Sequence, residues 1–213
     1  VSIRPEHAHP LVADVPLELD LWEGLPSTHL DRIVAHAEDR VAWTRARSRG
    51  VTATDAAKLT SEAAVRAVAR DKLLGSGFTG NAYTEHGRAR EPEIARWVRA
   101  VHGIPPSTAL FHADRNPLHL ATPDGVAVQG GAVVTAEIKT TGRPWRSIPR
   151  AYLRQVWWQQ HVLGAERTLV VWEQHEDFVP IGAEPRWQWV ERDENEIHVL
   201  VGLAERLLRL LRR

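Results

Sequence analysis

In "ATPDGVAVQGGAVVTAEIKTT", residues 121–141, a Pro-Asp-Gly turn precedes an apolar run that carries Glu137 and Lys139 two positions apart. Side chains alternate across a strand, so Glu137 and Lys139 point to one face while Ala136, Ile138 and Thr140 point to the other. An acid and a lysine sharing one face of an Ala-Val-Thr strand read either as a surface ion pair or as the wall of a charged cleft. Asp124 occupies the turn one hairpin upstream, where its carboxylate can reach the start of the next strand. Two carboxylates gathered this way offer oxygen ligands to a hard divalent cation such as Mg²⁺, and a lysine beside them can polarise a water.

The surroundings of this stretch set the fold class. Upstream, residues 27–49 carry a helical period behind a Ser/Thr cap (Leu30, Ile33, Val34, Ala37, Val41), residues 52–59 and 61–75 make two further helices, and Gly75 stops the last. A glycine-rich loop over 75–87 leads into a helix over 87–103, where Ile94, Trp97, Val98 and Val101 mark an apolar face. Short strands follow over 108–114, 118–125 (ending in the Pro-Asp-Gly turn), 126–128 and 132–140. A helix over 147–164, strands over 167–174 and 186–193 and an amphipathic helix from 194 complete the chain. This order predicts an α/β (α+β) domain with a mixed sheet flanked by helices and an N-terminal helical region. Residues 1–26, with four prolines and no sustained period, read as an extended arm, and 27–213 as a single domain.

Composition excludes more than it assigns. The 213 residues are 43% hydrophobic and 25% charged with a net charge of zero, an ordinary globular balance. Without cysteine there is no disulfide scaffold, thiolate zinc site or cysteine-ligated cluster. No apolar run is long enough to span a membrane and the first 26 residues hold acids and prolines, so an intracellular, cytoplasmic protein is expected. Only three of the 27 basic residues are lysines, Lys58, Lys72 and Lys139. Arginine suits bidentate phosphate contacts, although the same bias arises from a GC-rich coding sequence.

The ordered residues resemble a known family. Asp124, Glu137 and Lys139 are similar to the active-site signature of the PD-(D/E)xK nuclease superfamily, and most of all to its lambda-type exonuclease and YqaJ-like viral recombinase branch. Gly87 and Glu91 match the branch's Gly-x-x-x-Glu helix, Asp114 an acid about ten residues before the turn, and Gln155 the glutamine-bearing helix after the signature. Upstream, Trp43, Arg45, Arg47 and "VTATDA" match a tryptophan, a basic cluster and a Thr-Ala-Ser turn, with Thr54 in the place of the serine. The resemblance runs from about Trp43 to Gly164.

It implies a restriction-endonuclease-like core. It implies that Asp124, Glu137 and the Ile138 carbonyl bind metal, that Glu91 completes a second metal site with Asp114 as a further candidate, and that Lys139 activates water beside Gln155. Mg²⁺ is the implied ion, with Mn²⁺ able to substitute. Arg47, Thr54 and Thr122, with Arg143 or Arg146, fall where the branch binds a 5′-phosphate. The implied activity is a 5′→3′ exonuclease on double-stranded DNA ends in recombination, of phage or prophage type, working with a single-strand annealing protein. A ring-shaped homo-oligomer could gather arginines in a channel despite zero net charge. An endonuclease or repair nuclease on the same fold, and a non-catalytic DNA-end binding protein, are the alternatives. The chain departs from related nucleases by carrying Gln159 where a tyrosine often stands, and His86 is a candidate outer ligand.

Nine tryptophans are many for this length. Adjacent Trp157 and Trp158 lie about 100° apart on a helix, so one is expected in the core and the other at a groove or partner. Trp145, in the loop after the signature, is the candidate DNA-facing wedge. The closing "ERLLRLLRR" is expected to dock by its leucines with its arginines in water.

Overall fold

The computed structural model describes residues 28–75 and 82–212. The arm expected over 1–26 lies outside the described residues. After a 3-10 turn at Leu30–Arg32 the chain forms β1 (Ile33–His36), α1 (Arg40–Arg49), β2 (Val51–Thr52), α2 (Ala53–Ala56), α3 (Glu62–Leu74) and α4 (Ala82–His102). Strands β3 (Ala109–Ala113), β4 (Asn116–Ala121), β5 (Gly125–Gln129) and β6 (Ala132–Thr141) follow. The chain closes with α5 (Arg150–Leu163), β7 (Arg167–Glu176), β8 (Val179–Pro180), β9 (Arg186–Glu191) and α6 (Glu194–Leu211).

Two local expectations fail for identifiable reasons. The single helix expected over 27–49 is divided: Asp39 Oδ1 accepts from the Ala42 N–H at 3.0 Å and starts α1 late. The segment before it pairs antiparallel with β3 instead, Ile33 opposite Phe111 and His36 opposite Ala109, so sheet pairing outweighs local helical period. Gly87 does not open its helix; it lies in the second turn of α4. A side chain there would place its Cβ 3.0 Å from Thr140 Oγ1, so the glycine lets α4 approach the end of β6.

The strands divide into two sheets, where a single central one was expected. The smaller runs β1-β3-β4-β2, and the larger runs β5-β6-β7. On the far edge of β7, β9 pairs with Arg167–Trp172 and β8 with His175–Glu176. The larger sheet is mixed: β5 and β9 run antiparallel to their neighbours, while β6 and β7 run parallel from Val134 opposite Arg167 to Thr141 opposite Gln174.

Helix α5 packs against both sheets and against α2 and α6. That central position corrects the reading of its adjacent tryptophans. Trp157 and Trp158 are both buried, Trp158 donating its indole N–H to the Leu120 carbonyl at 3.0 Å, and neither faces a groove. Full burial of one such side chain contributes on the order of 2–3 kcal/mol. Trp145, the candidate wedge, is half-buried and packs against Tyr152 and Trp172, with ring centroids 5.2 and 5.3 Å away. Helix α6 docks through Ile197, Leu200, Ala204, Leu207 and Leu208 as its pattern predicts. A second core sets Ile94 and Val98 of α4 against Ile138, Leu169 and Val171, which fixes the face of β6 opposite to Glu137 and Lys139.

Candidate active site

Asp124 lies where the chain passes from the smaller sheet to the larger one. Its N–H donates to the Ala136 carbonyl at 3.1 Å and its carbonyl accepts from the Ser107 N–H at 2.9 Å. Its carboxylate Oδ2 accepts the Ile138 N–H at 2.6 Å, so the turn acid is tied to the strand that carries Glu137 and Lys139. The next residue is tightly packed: a Cβ at Gly125 would lie 3.0 Å from the Ile104 side chain and 3.1 Å from the Pro105 carbonyl, so any side chain there would push on its neighbours.

Glu137 is 1% exposed, although it is charged. Its burial is compensated by donors on both oxygens. Oε1 takes the ammonium of Lys139 and the amide of Gln155, and Oε2 takes the Gln159 amide at 2.5 Å. Gln155 and Gln159 are one helical turn apart on α5, so their side chains share a face. Lys139 is further enclosed by the Tyr152 ring, whose centroid is 5.2 Å from Nζ.

The acids act on one another. Burial raises the Asp124 carboxyl well above the usual carboxylate range, and the charges of Glu137 and Glu91 raise it further against the pull of Lys139 and the Ile138 N–H. Glu91, on α4, is raised by partial desolvation and then by Glu137. Burial alone would lower the Lys139 ammonium, but Glu137 and Asp124 outweigh it and the lysine is raised. Glu91, Asp124, Glu137 and Lys139 therefore form one electrostatic centre. Among the described residues no three histidine, aspartate or glutamate side chains are gathered into a ready ligand cluster.

The other expected site residues fall in three places. Arg47 and Thr122 are brought together, Nη1 to Oγ1 at 3.5 Å, with the guanidinium 4.2 Å over the Trp43 ring. Lys72 supports them by donating to the Arg47 carbonyl at 3.0 Å while pairing with Asp55 at 2.8 Å. Thr54 is exposed in α2, whose capping box is made by Thr52 and Asp55. Arg143 and Arg146 are exposed in the loop after β6, and Arg143 lines a separate cavity with His86. Asp114 lies in the turn after β3, where its charge acts on Arg32 and not on the Glu91–Asp124 centre. The grip of Gln159 on Glu137 was readable only as a spacing, four residues after Gln155. The hydrogen bond of His86 to His175 on β7, which in turn bonds Glu173, had no sequence signal.

Known proteins share this architecture. The alkaline exonuclease LHK-Exo from Laribacter hongkongensis, solved alone and with dAMP, is 22% identical with a TM-score of 0.61, covering 80% of this chain and 91% of that one. A phage-related exonuclease from Haemophilus somnus 129PT is 15% identical with a TM-score of 0.59, covering 76% of this chain and 93% of that one. No curated protein sequence matches the chain. The fold is thus restriction-endonuclease-like, two mixed-topology layers joined at an acidic centre. Residues 42–166 match the YqaJ-like viral recombinase domain, and the chain belongs to that family. Among the described residues no helix is long and apolar enough to cross a membrane.

Proposed function

We propose that this chain is a divalent-metal-dependent DNA nuclease that removes nucleotides 5′→3′ from double-stranded ends during recombination. The observation that carries the reading is a single centre holding Asp124, Glu91, Glu137 and Lys139, with Glu137 fixed by two buried amides. The likeness to exonuclease structures supports it.

The donors suit a hard cation: oxygen ligands predominate, and the carboxyls of Asp124 and Glu91 are raised first by burial and then by the charge of Glu137, a crowding of acids that a divalent charge relieves. We assign Asp124, Glu137 and the Ile138 carbonyl as ligands of Mg²⁺, which Mn²⁺ can replace, with Glu91 toward a second ion. Such ions supply Lewis-acid charge opposite the scissile phosphate.

The chain's own groups do the rest. The Ile138 N–H stops Asp124 from turning away, Gln155 and Gln159 hold the plane of the Glu137 carboxylate, and Lys139 keeps a proton between the acids and orients the attacking water. Arg47 and Thr122, with Thr54, Arg143 and Arg146, are assigned to phosphates of the strand. Association into a ring and work with a single-strand annealing protein belong to the same proposal.

The test is digestion of linear 5′-phosphorylated duplex with Mg²⁺, compared with covalently closed circles. Linear DNA should disappear and circles persist, and Glu137→Ala and Lys139→Ala should each abolish the activity. Cleavage of circles would favour an endonuclease on the same fold.

A further inference from the structure

A cavity of about 770 Å³ opens between the start of α4, the ends of β6 and β7 and the β7–β8 hairpin. Its wall begins where the catalytic strand ends. Thr140 and Thr141 follow Lys139, and Thr141 points to the same side of β6 as Glu137 and Lys139. A strand lying across the catalytic centre would pass into it.

His86 is held there by a buried chain of partners. His86 Nε2 and His175 Nδ1 share a hydrogen bond of 2.6 Å, and His175 Nε2 lies 3.0 Å from Glu173 Oε2. Arg90 then forks onto both Glu173 oxygens at 3.0 and 3.1 Å. The catalytic centre uses none of these four residues. Their arrangement fixes the plane of one imidazole ring at the cavity wall.

The hairpin tip provides a second, independent sign. Asp177 and Phe178 have φ of 47° and 66°; aspartate tolerates this left-handed region, but glycine normally takes the second of two such positions and an aromatic side chain there is costly. A phenylalanine kept in that position is a local strain of the kind that accompanies binding sites. Its ring is 43% exposed and meets the His86 ring edge-on at 5.2 Å.

The lining also indicates what fits. Among the described lining residues Arg143 is the one strong cation, Glu176 and Asp177 stand on the exposed rim, and Thr140, Thr141 and Gln174 offer neutral donors and acceptors. A flat heteroaromatic ring with mixed hydrogen-bonding edges and a single attached phosphate matches that balance better than a cluster of phosphates. Its volume lies within the range of small-ligand sites.

We propose that the cavity receives one unpaired nucleotide of the DNA strand that runs through the catalytic centre, its base against Phe178 and His86 and its phosphate at Arg143. The assignment rests on the nuclease reading above. An aromatic wall accepts any base, because every base has a stacking face.

Binding of a fluorescent single-stranded tetranucleotide in EDTA, followed by anisotropy, tests it. Phe178→Gly suits the left-handed backbone, so it preserves the hairpin and removes only the ring. The Kd should rise about tenfold, whereas Phe178→Tyr should stay within about twofold of the wild-type chain. Equal binding by Phe178→Gly and wild type overturns the proposal. Duplex digestion by the wild-type chain with Mg²⁺ judges the nuclease reading separately. A chain that cleaves normally and binds equally well with Phe178→Gly loses only the cavity assignment. A chain that never cleaves yet releases the tetranucleotide on Phe178→Gly keeps a nucleotide site and loses the nuclease reading.

Discussion

Gln159 donates to Glu137 Oε2 at 2.5 Å, while Gln155, one turn earlier on the same helix, takes the opposite oxygen of that carboxylate. A helix buried against both sheets therefore sets the orientation of the acid. Gln159→Leu leaves Glu137 Oε2, on a buried carboxylate, without a donor. The expected cost is about 1–3 kcal/mol of stability and about tenfold or more in nuclease rate. Loss of Gln159 Oε1, buried without a partner, offsets part of the stability term. Gln159→Glu should be worse, because it faces Glu137 with a second acid. Urea midpoints and initial rates on linear duplex check the order, and a leucine variant equal to wild type in both would sink it.

Asp124 should be a liability to the fold that binding requires. Its folded carboxyl is raised well above the ordinary 3.8, so between those values the folded chain holds a proton that the unfolded chain has released. Stability therefore falls as pH rises through that window. Asp124→Asn keeps an acceptor for the Ile138 N–H and removes the charge. In EDTA near pH 8 it should melt several degrees higher than wild type, show no Mg²⁺-dependent rise in Tm, and have no nuclease activity. A lower Tm in EDTA would contradict the electrostatic account.

Acid should loosen a different part of the molecule. His119 and His161, whose ring nitrogens are 3.0 Å apart, are both held at about 4 by burial, below the ordinary 6.5. The unfolded chain takes up protons from about pH 6.5 downward while the folded chain resists until about pH 4. Their contribution is complete above pH 6.5 and is lost as pH falls through that window, by ~3 kcal/mol for one ring. Denaturation at pH 7.5 and 4.5 should show this loss in wild type and a much smaller one in a chain carrying both His119→Gln and His161→Gln.

Arg47 lies over the Trp43 ring and donates one long hydrogen bond, 3.5 Å, to Thr122. Arg47→Lys keeps the charge and loses the planar guanidinium, with its stacking and its capacity to fork onto a phosphate. The rate ratio between duplexes ending in 5′-phosphate and 5′-hydroxyl should fall about tenfold, mostly through the phosphorylated substrate. An unchanged ratio would remove Arg47 from the phosphate assignment.

What could be read in advance follows from the range of each interaction. Asp124, Glu137 and Lys139 belong to one hairpin, whose turn chemistry and period-2 pattern place them together without knowledge of the rest. Most helices and strands were visible for the same reason. The segment from Ile33 to His36 was not, because its partner β3 is more than 70 residues away and a helical spacing of apolar residues concealed the pairing. The burial of both Trp157 and Trp158 was misjudged because the second half of α5 is enclosed by two sheets that meet around it. The Arg90–Glu173–His175–His86 chain joins α4 to β7, and no local pattern marks such a contact.

Asp124 is bonded through its main chain to Ser107 beside the smaller sheet and to Ala136 in the larger one, and through its side chain to Ile138. The proposed metal-binding acid is thus a rivet between the two layers. Any partial parting of the sheets must displace it before either sheet melts. Catalysis should therefore fail in mild denaturant while circular dichroism remains native, and amide exchange at Ile138 should report the working fraction of the molecules.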